Sequence, residues 1–128
     1  TGVKILSTMR NHIIAQHIAV EEALRSEHAV KHGAVIVKNG KIINSARNQY
    51  CTNSRIRMFN AQRIWSIHAE MNVLNGIPKS VTRGADLYVV RVTPYGPHAF
   101  MNSKPCEICS SLCRKAGIKN VYYSTEES

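Results

Sequence analysis

The feature that most constrains this chain is a pair of short stretches, H-A-E at positions 68–70 and P-C-E-I-C at positions 105–109. A catalytic zinc usually has three protein ligands drawn from histidine nitrogen and cysteine sulfur, which leaves a fourth position for water. His68, Cys106 and Cys109 make up such a set. The C-x-x-C pair alone would also fit half of a structural zinc site, a redox pair or chance. With H-A-E upstream, the pattern favours a catalytic Zn²⁺ site.

Cys106 and Cys109 are three positions apart, so in a helix both sulfur atoms can face one metal ion. We predict that this helix runs from Cys106 to about Ala116 and is closed by Gly117. The positive end of a helix favours thiolate over thiol, and a bound zinc does so more strongly. Two thiolates cancel the charge of Zn²⁺, so His68 would be the neutral ligand, beside a water that the metal can acidify.

Glu70 follows His68 by two positions at the start of another predicted helix, which ends before Gly76. There the carboxylate can reach the water without binding the metal, and can carry its proton to a ring nitrogen and to departing ammonia. The alternative is a carboxylate that only stabilises the positive end of its helix. Cys113 shares a helix face with Cys109 and is interpreted as a packed thiol, with service as a ligand as the alternative.

The hydrophobic pattern predicts one domain over residues 1–128, a three-layer α/β/α fold with a mixed central sheet that begins with an antiparallel hairpin. Asn39-Gly40 between two β-branched runs is typical of a type I′ hairpin turn. The nearly continuous apolar run at 87–92 indicates a central strand buried on both faces. The predicted order is helix (7–27), strand (34–38), strand (41–46), helix (68–74), strand (87–92), helix (106–116) and strand (120–124).

Charge and cysteine content indicate the kind of partner and compartment. Seventeen basic against eight acidic residues give a net charge of +9, which favours phosphate-bearing partners or, alternatively, only keeps the protein in solution. Four cysteines with one C-x-x-C point to metal binding in a reducing compartment, so we expect a cytoplasmic location, or the nucleus. No apolar run approaches the roughly 18 residues of a membrane helix, so no membrane partner is expected.

Two groups of residues carry no decisive pattern. The segment 51–66 fits equally a flap over a phosphate or stacked base and a surface loop. Its notable residues are Cys51, Arg55, Arg57, Phe59, Arg63 and Trp65. Three histidines on or just after the first helix lack a ligand partner at metal spacing and are interpreted as packed or solvated. They are His12, His17 and His28.

H-x-E followed by P-C-x-x-C is the signature of zinc-dependent nucleobase deaminases. On these residues the chain resembles the cytidine and deoxycytidylate deaminase superfamily over about positions 7–124. The resemblance implies a cytidine-deaminase-like fold, hydrolytic conversion of a cytosine base to uracil, and a homo-oligomer. It implies a Zn²⁺ cofactor held by His68, Cys106 and Cys109, with Glu70 as the proton shuttle.

Three further residues are assigned to substrate binding. The resemblance implies that the backbone at Ala69 holds the pyrimidine carbonyl. Asn48 leaves the second strand at the sheet end where ligands of α/β proteins usually lie, and resembles the family asparagine that contacts the sugar; the alternative is a turn residue. Ser103 belongs to the stretch S-K-P-C at 103–106, which is similar to the S-x-P-C of polynucleotide cytosine deaminases.

Three functions remain open from the sequence. The stretch H-A-E-M-N at 68–72 is similar to deoxycytidylate deaminases and favours a cytosine-containing nucleoside or nucleotide such as dCMP. The S-x-P-C stretch favours a base in RNA or single-stranded DNA. The third alternative is a catalytically silent, zinc-stabilised binding module, against which the presence of Glu70 argues. The sequence also leaves open how a fifth strand, present in the superfamily, is supplied.

Overall fold

The computed structural model describes residues 2–6, 12–50 and 66–126. The segment 51–66, which fits equally a flap and a surface loop, therefore lies outside the described residues, apart from Ser66 at its end. In chain order the elements are β1 (Gly2–Ile5), α1 (Ile13–Arg25), β2 (Lys31–Lys38), β3 (Lys41–Arg47), β4 (Gln49–Tyr50), β5 (Ser66–Ile67), α2 (Ala69–Leu74), α3 (Lys79–Thr82), β6 (Asp86–Val92), β7 (Phe100–Met101), α4 (Glu107–Ala116) and β8 (Asn120–Tyr123).

The main sheet is mixed, with the order β1-β8-β6-β2-β3, and β7 pairs with the end of β6. Strand β6 runs parallel to β8 and antiparallel to β2. The prediction that residues 87–92 form a central strand is confirmed, since β6 has neighbours on both sides and most of its side chains are buried. Its apolar run reflects burial on both faces.

The predicted hairpin is also confirmed. Strands β2 and β3 pair antiparallel, and the turn residues Asn39 and Gly40 have φ values of 52° and 76°. Two successive positive φ values are what a type I′ turn requires.

The prediction that the sheet begins with this hairpin is wrong, because β1 precedes it. β1 pairs parallel with β8, from Gly2 opposite Asn120 to Ile5 opposite Tyr123, and supplies the fifth strand of the row. Three of its four residues are exposed, so the sequence shows no buried face there. Pairing with β8, which is distant in sequence, makes it a strand. The predicted start of the first helix at Ser7 lies outside the described residues.

Helices cover both faces of the sheet, as the three-layer prediction required. On one face α1 packs against β2 and β6 through Ala15, Ala19 and Ala23. The approach is close at Gly33, where a Cβ would lie 1.9 Å from the carbonyl oxygen of Ala19. On the other face α2 and α4 pack through Val73 and other buried side chains. Within the described ranges, no helix has the length and apolar character needed to cross a membrane.

Candidate metal centre and substrate cavity

Three candidate ligands meet where the N-termini of α2 and α4 approach each other. His68 is the N-cap of α2 and Cys106 the N-cap of α4, so both lie one position before the first helical turn in which they were predicted. Cys109 lies within the first turn of α4. Gly76 (φ 78°) and Gly117 (φ 78°) follow the two helices in the left-handed conformation, as predicted.

The donor atoms are spaced for one metal ion. Nδ1 of His68 lies 3.3 Å from Sγ of Cys109 and 3.7 Å from Sγ of Cys106, and all three donors lie within 4.8 Å of one another. Typical Zn–N and Zn–S bonds at a tetrahedral angle place nitrogen and sulfur about 3.6 Å apart. The residues therefore fit a single zinc ion. No other such group of His, Cys, Asp or Glu occurs in the part of the chain that the structure describes.

The Cys109 thiol depends on a bound metal for its charge. Burial, followed by the nearby Glu70 and Cys106, raises the pKa of the Cys109 thiol well above its ordinary range. Burial, followed by Glu70, raises the pKa of Cys113 to about 12. Cys113 lies in the core cluster that includes Val73, as expected for a packed thiol. A metal that binds Cys109 must displace its proton, so metal affinity at this site depends on pH.

Glu70 is a buried carboxyl beside this centre. It lies in the first turn of α2, is 4% exposed, and lines the cavity described below. Burial raises its pKa, while its own backbone N–H, His68 and a hydrogen bond with Cys109 act in the opposite direction. A carboxyl with a raised pKa beside a metal centre is suited to accept a proton from a bound water and to return it.

A cavity of about 250 Å³ opens onto the ligand cluster. It is smaller than the roughly 300–1,000 Å³ of pockets for drug-sized ligands, and so suits a small ring with limited substituents. The residues that line it are His28, Val30, His32, Asn48, His68, Glu70, Ser103, Lys104 and Cys106.

Asn48 lines the cavity and is also the centre of a buried hydrogen-bond network. Its Oδ1 accepts hydrogen bonds from Oγ of Ser26 (2.7 Å) and from the backbone N–H of His32 (2.9 Å). Its Nδ2 donates to the carbonyl of Val30 at 2.6 Å. Two bonds occupy the usual capacity of an amide oxygen, so a substrate contact would use the second Nδ2 hydrogen.

Ser103 lines the cavity with its hydroxyl already engaged. Its Oγ donates to the carbonyl of Val89 at 2.9 Å and accepts from the backbone N–H of Ser124 at 2.7 Å. These bonds fix the segment that leads to Cys106 against β6 and β8. Ala69 is fully buried and does not line the cavity. Its N–H belongs to the first turn of α2, where N–H groups have no partner within the helix.

Sequence reasoning missed part of the cavity wall. The His28 ring, interpreted as packed or solvated, stacks on Tyr50 with ring centroids 4.7 Å apart and also faces the cavity. His32, to which no role was assigned, is largely buried, and burial followed by Arg91 and His68 lowers its pKa to about 4. Lys104 forms part of the rim. His28 and His32 belong to no spaced motif, and Lys104 occupies the variable position of the S-x-P-C stretch, so the sequence gives no signal for any of the three.

The pairing of the three ligands with a buried carboxyl is the arrangement of a zinc-dependent hydrolytic deaminase. Residues 9–125 match the family described as the cytidine and deoxycytidylate deaminase zinc-binding region. The chain therefore belongs to this family, and zinc is the metal for which its centre is built.

Two solved deaminases illustrate the likeness. The dCMP deaminase of cyanophage S-TIM5 in its apo form is 25% identical with a TM-score of 0.57, over 94% of this chain and 86% of that one. A tRNA:A34 deaminase that performs A-to-I editing at the wobble position of transfer RNA is 25% identical with a TM-score of 0.56. The likeness covers 89% of this chain and 77% of that one. No curated protein matches the chain.

Proposed function

We propose that this chain is a zinc-dependent deaminase that converts cytosine to uracil on a free nucleotide such as dCMP. The observation that carries the proposal is the buried Glu70 carboxyl beside the His68, Cys106 and Cys109 cluster, at the wall of a cavity of about 250 Å³. The likeness to a dCMP deaminase supports the choice of substrate class.

The bound metal, the proton carrier and the substrate contact have separate roles in the reaction. The bound zinc supplies a water that is acidic near neutral pH. Glu70 would carry one proton of the water to the ring nitrogen, where it remains, and the second proton to the leaving amine, so that cytosine and water give uracil and ammonia. The second Nδ2 hydrogen of Asn48, which lines the cavity, donates a hydrogen bond to the sugar.

The cavity's charge favours a nucleotide with a single phosphate group. Lys104 is the one Lys or Arg among the described residues that line the cavity, and it is exposed at the rim. One ammonium suits one phosphate group. Lys104→Gln is therefore expected to raise KM for dCMP several-fold more than KM for deoxycytidine. Lys4→Gln, at an exposed position on β1, serves as the matched control and should change neither.

Deamination of a base within RNA is the second candidate, because the tRNA:A34 deaminase is as similar as the dCMP deaminase. The deciding experiment measures ammonia release by zinc-loaded protein from dCMP, CMP, cytidine, deoxycytidine, and unstructured oligonucleotides that contain cytosine or adenine. Turnover of dCMP that exceeds turnover of every oligonucleotide is expected. Turnover of an oligonucleotide without turnover of any monophosphate would replace the first proposal with the second.

A further inference from the structure

The end of the sheet opposite the cavity carries a concentration of positive side chains. They come from the β2–β3 hairpin, from α3 and the residue after it, and from the end of α4 and the connection to β8. We call this surface the basic end; it consists of Lys38, Lys41, Lys79, Arg83, Arg114, Lys115 and Lys119.

Hydrogen bonds join these segments into one continuous surface. Lys38 pairs with Lys41 across the hairpin and donates from Nζ to the carbonyl of Ser80 in α3 at 3.1 Å. The backbone N–H of Lys119 donates to the carbonyl of Ala85, just before β6, at 2.7 Å. The positive groups therefore occupy fixed neighbouring segments at one end of strands β8, β6, β2 and β3.

This charge is little neutralised. Lys38 is partly buried and the other six side chains are exposed. The same segments hold one carboxylate, that of Asp86, which accepts a hydrogen bond from Asn120 at 3.1 Å. Among the described residues, the other carboxylates lie elsewhere. They are Glu21, Glu22, Glu27, Glu70, Glu107 and Glu126.

The basic end is too far from the cavity to serve a nucleotide bound there. Strand β6 begins at Asp86, at the basic end, and finishes at Val92. Val92 pairs with Lys31 at the start of β2, and the next residue of β2, His32, lines the cavity. Six residue steps at about 3.3 Å each separate the two ends by about 20 Å. A mononucleotide in the cavity therefore leaves the charge of the basic end unused.

The spacing of the positive groups suits a partner with repeated negative charges. The ends of four neighbouring strands span about 14 Å at about 4.8 Å per strand, whereas a nucleic acid strand offers a phosphate about every 3.4 Å of duplex axis. A membrane surface fits less well, because stable insertion needs an apolar face and Ile42 is the one large apolar side chain on these segments that is well exposed. We propose that the basic end binds the phosphate backbone of a polynucleotide, separately from the deaminase cavity.

The test measures binding of the whole zinc-loaded chain to fluorescent oligonucleotides by anisotropy, at about 50 and 200 mM salt. Single-stranded and duplex forms of RNA and DNA distinguish the kind of polynucleotide. The variant Lys79→Glu with Lys115→Glu is compared with Arg25→Glu with Arg47→Glu, which changes the net charge equally at the opposite end of the sheet. Melting curves establish that both are folded, and the corresponding Gln variants replace them if either is not.

We expect the basic-end variant to bind at least about 10-fold more weakly than the parent chain. The slope of the logarithm of its binding constant against the logarithm of salt concentration should be smaller by about 0.7–0.9 for each phosphate that it no longer neutralises. The control should bind within about 3-fold of the parent chain, and both variants should deaminate a free nucleotide as the parent does. The proposal would be overturned if the parent chain bound no oligonucleotide, if both variants bound equally weakly, or if dCMP displaced the oligonucleotide. It would also be overturned if the parent chain bound poly-glutamate or phosphatidylserine vesicles as strongly as oligonucleotides.

Discussion

Sγ of Cys109 lies 3.3 Å from Nδ1 of His68, although 41 positions separate the two residues in the chain. The contact exists because α2 and α4 pack on the same face of the sheet with their N-termini together. A zinc bound there would link two helices whose connection otherwise passes through β6 and β7, so the metal would contribute to stability as well as to chemistry.

The metal centre gives the first prediction. Cys109→Ser should reduce bound zinc from about one per chain to near zero, because a hydroxyl is a much poorer ligand than a thiolate. Cys113→Ser is the matched control, one helical turn further along α4, and should keep its zinc. Metal analysis of protein purified without chelator measures both. Zinc retained in the first variant and absent from the second would exchange the roles of the two cysteines.

The second prediction separates proton transfer from metal binding. Glu70→Gln preserves the size of the side chain and removes its ability to carry a proton, so deamination should fall by about 10²–10⁴-fold while zinc content is unchanged. Turnover with the best substrate and zinc content are measured on the same preparation. Loss of zinc would show that Glu70 supports the metal centre, and activity within a few-fold of the parent would remove it from the mechanism.

The third prediction concerns Asn48, whose side chain bonds three other residues. Asn48→Ala leaves the buried Ser26 hydroxyl and the His32 N–H without this acceptor, and should lower the free energy of unfolding by about 2–3 kcal/mol. Asn75→Ala removes the same atoms at an exposed position and should cost less than about 0.5 kcal/mol. Urea unfolding compares the two. Equal, small decreases would show that the network contributes little and leave substrate contact as the role of Asn48.

The fourth prediction follows from His32. Burial lowers its folded-state pKa from 6.5 to about 4, so as pH falls between these values the unfolded chain takes up a proton that the folded chain does not. Stability is therefore complete above about pH 6.5 and decreases as pH falls towards 4. Melting temperatures of the zinc-loaded chain should fall more over this window than those of His32→Gln. If the melting temperatures of the two proteins fell equally over this pH window, the lowered pKa of His32 would be contradicted.

The sequence by itself determined the elements whose cause is local. Asn39-Gly40 demands positive φ at two adjacent positions, the run 87–92 has no polar face, and Gly76 and Gly117 end helices where a residue with a side chain is disfavoured. The cysteine pair was also readable, because the spacing of Cys106 and Cys109 is a local property. These features depend on neighbouring residues alone, whereas His68 meets the two cysteines through the packing of α2 beside α4.

The tertiary structure decided what depends on contacts between distant segments. β1 became a strand only because its backbone pairs with β8, and His28 and His32 reached the cavity because the start of β2 lies beside the end of β6. The basic end likewise joins segments from three parts of the chain that show no basic block in sequence. Such proximity is set by long-range pairing and packing, which local propensity and residue spacing do not encode.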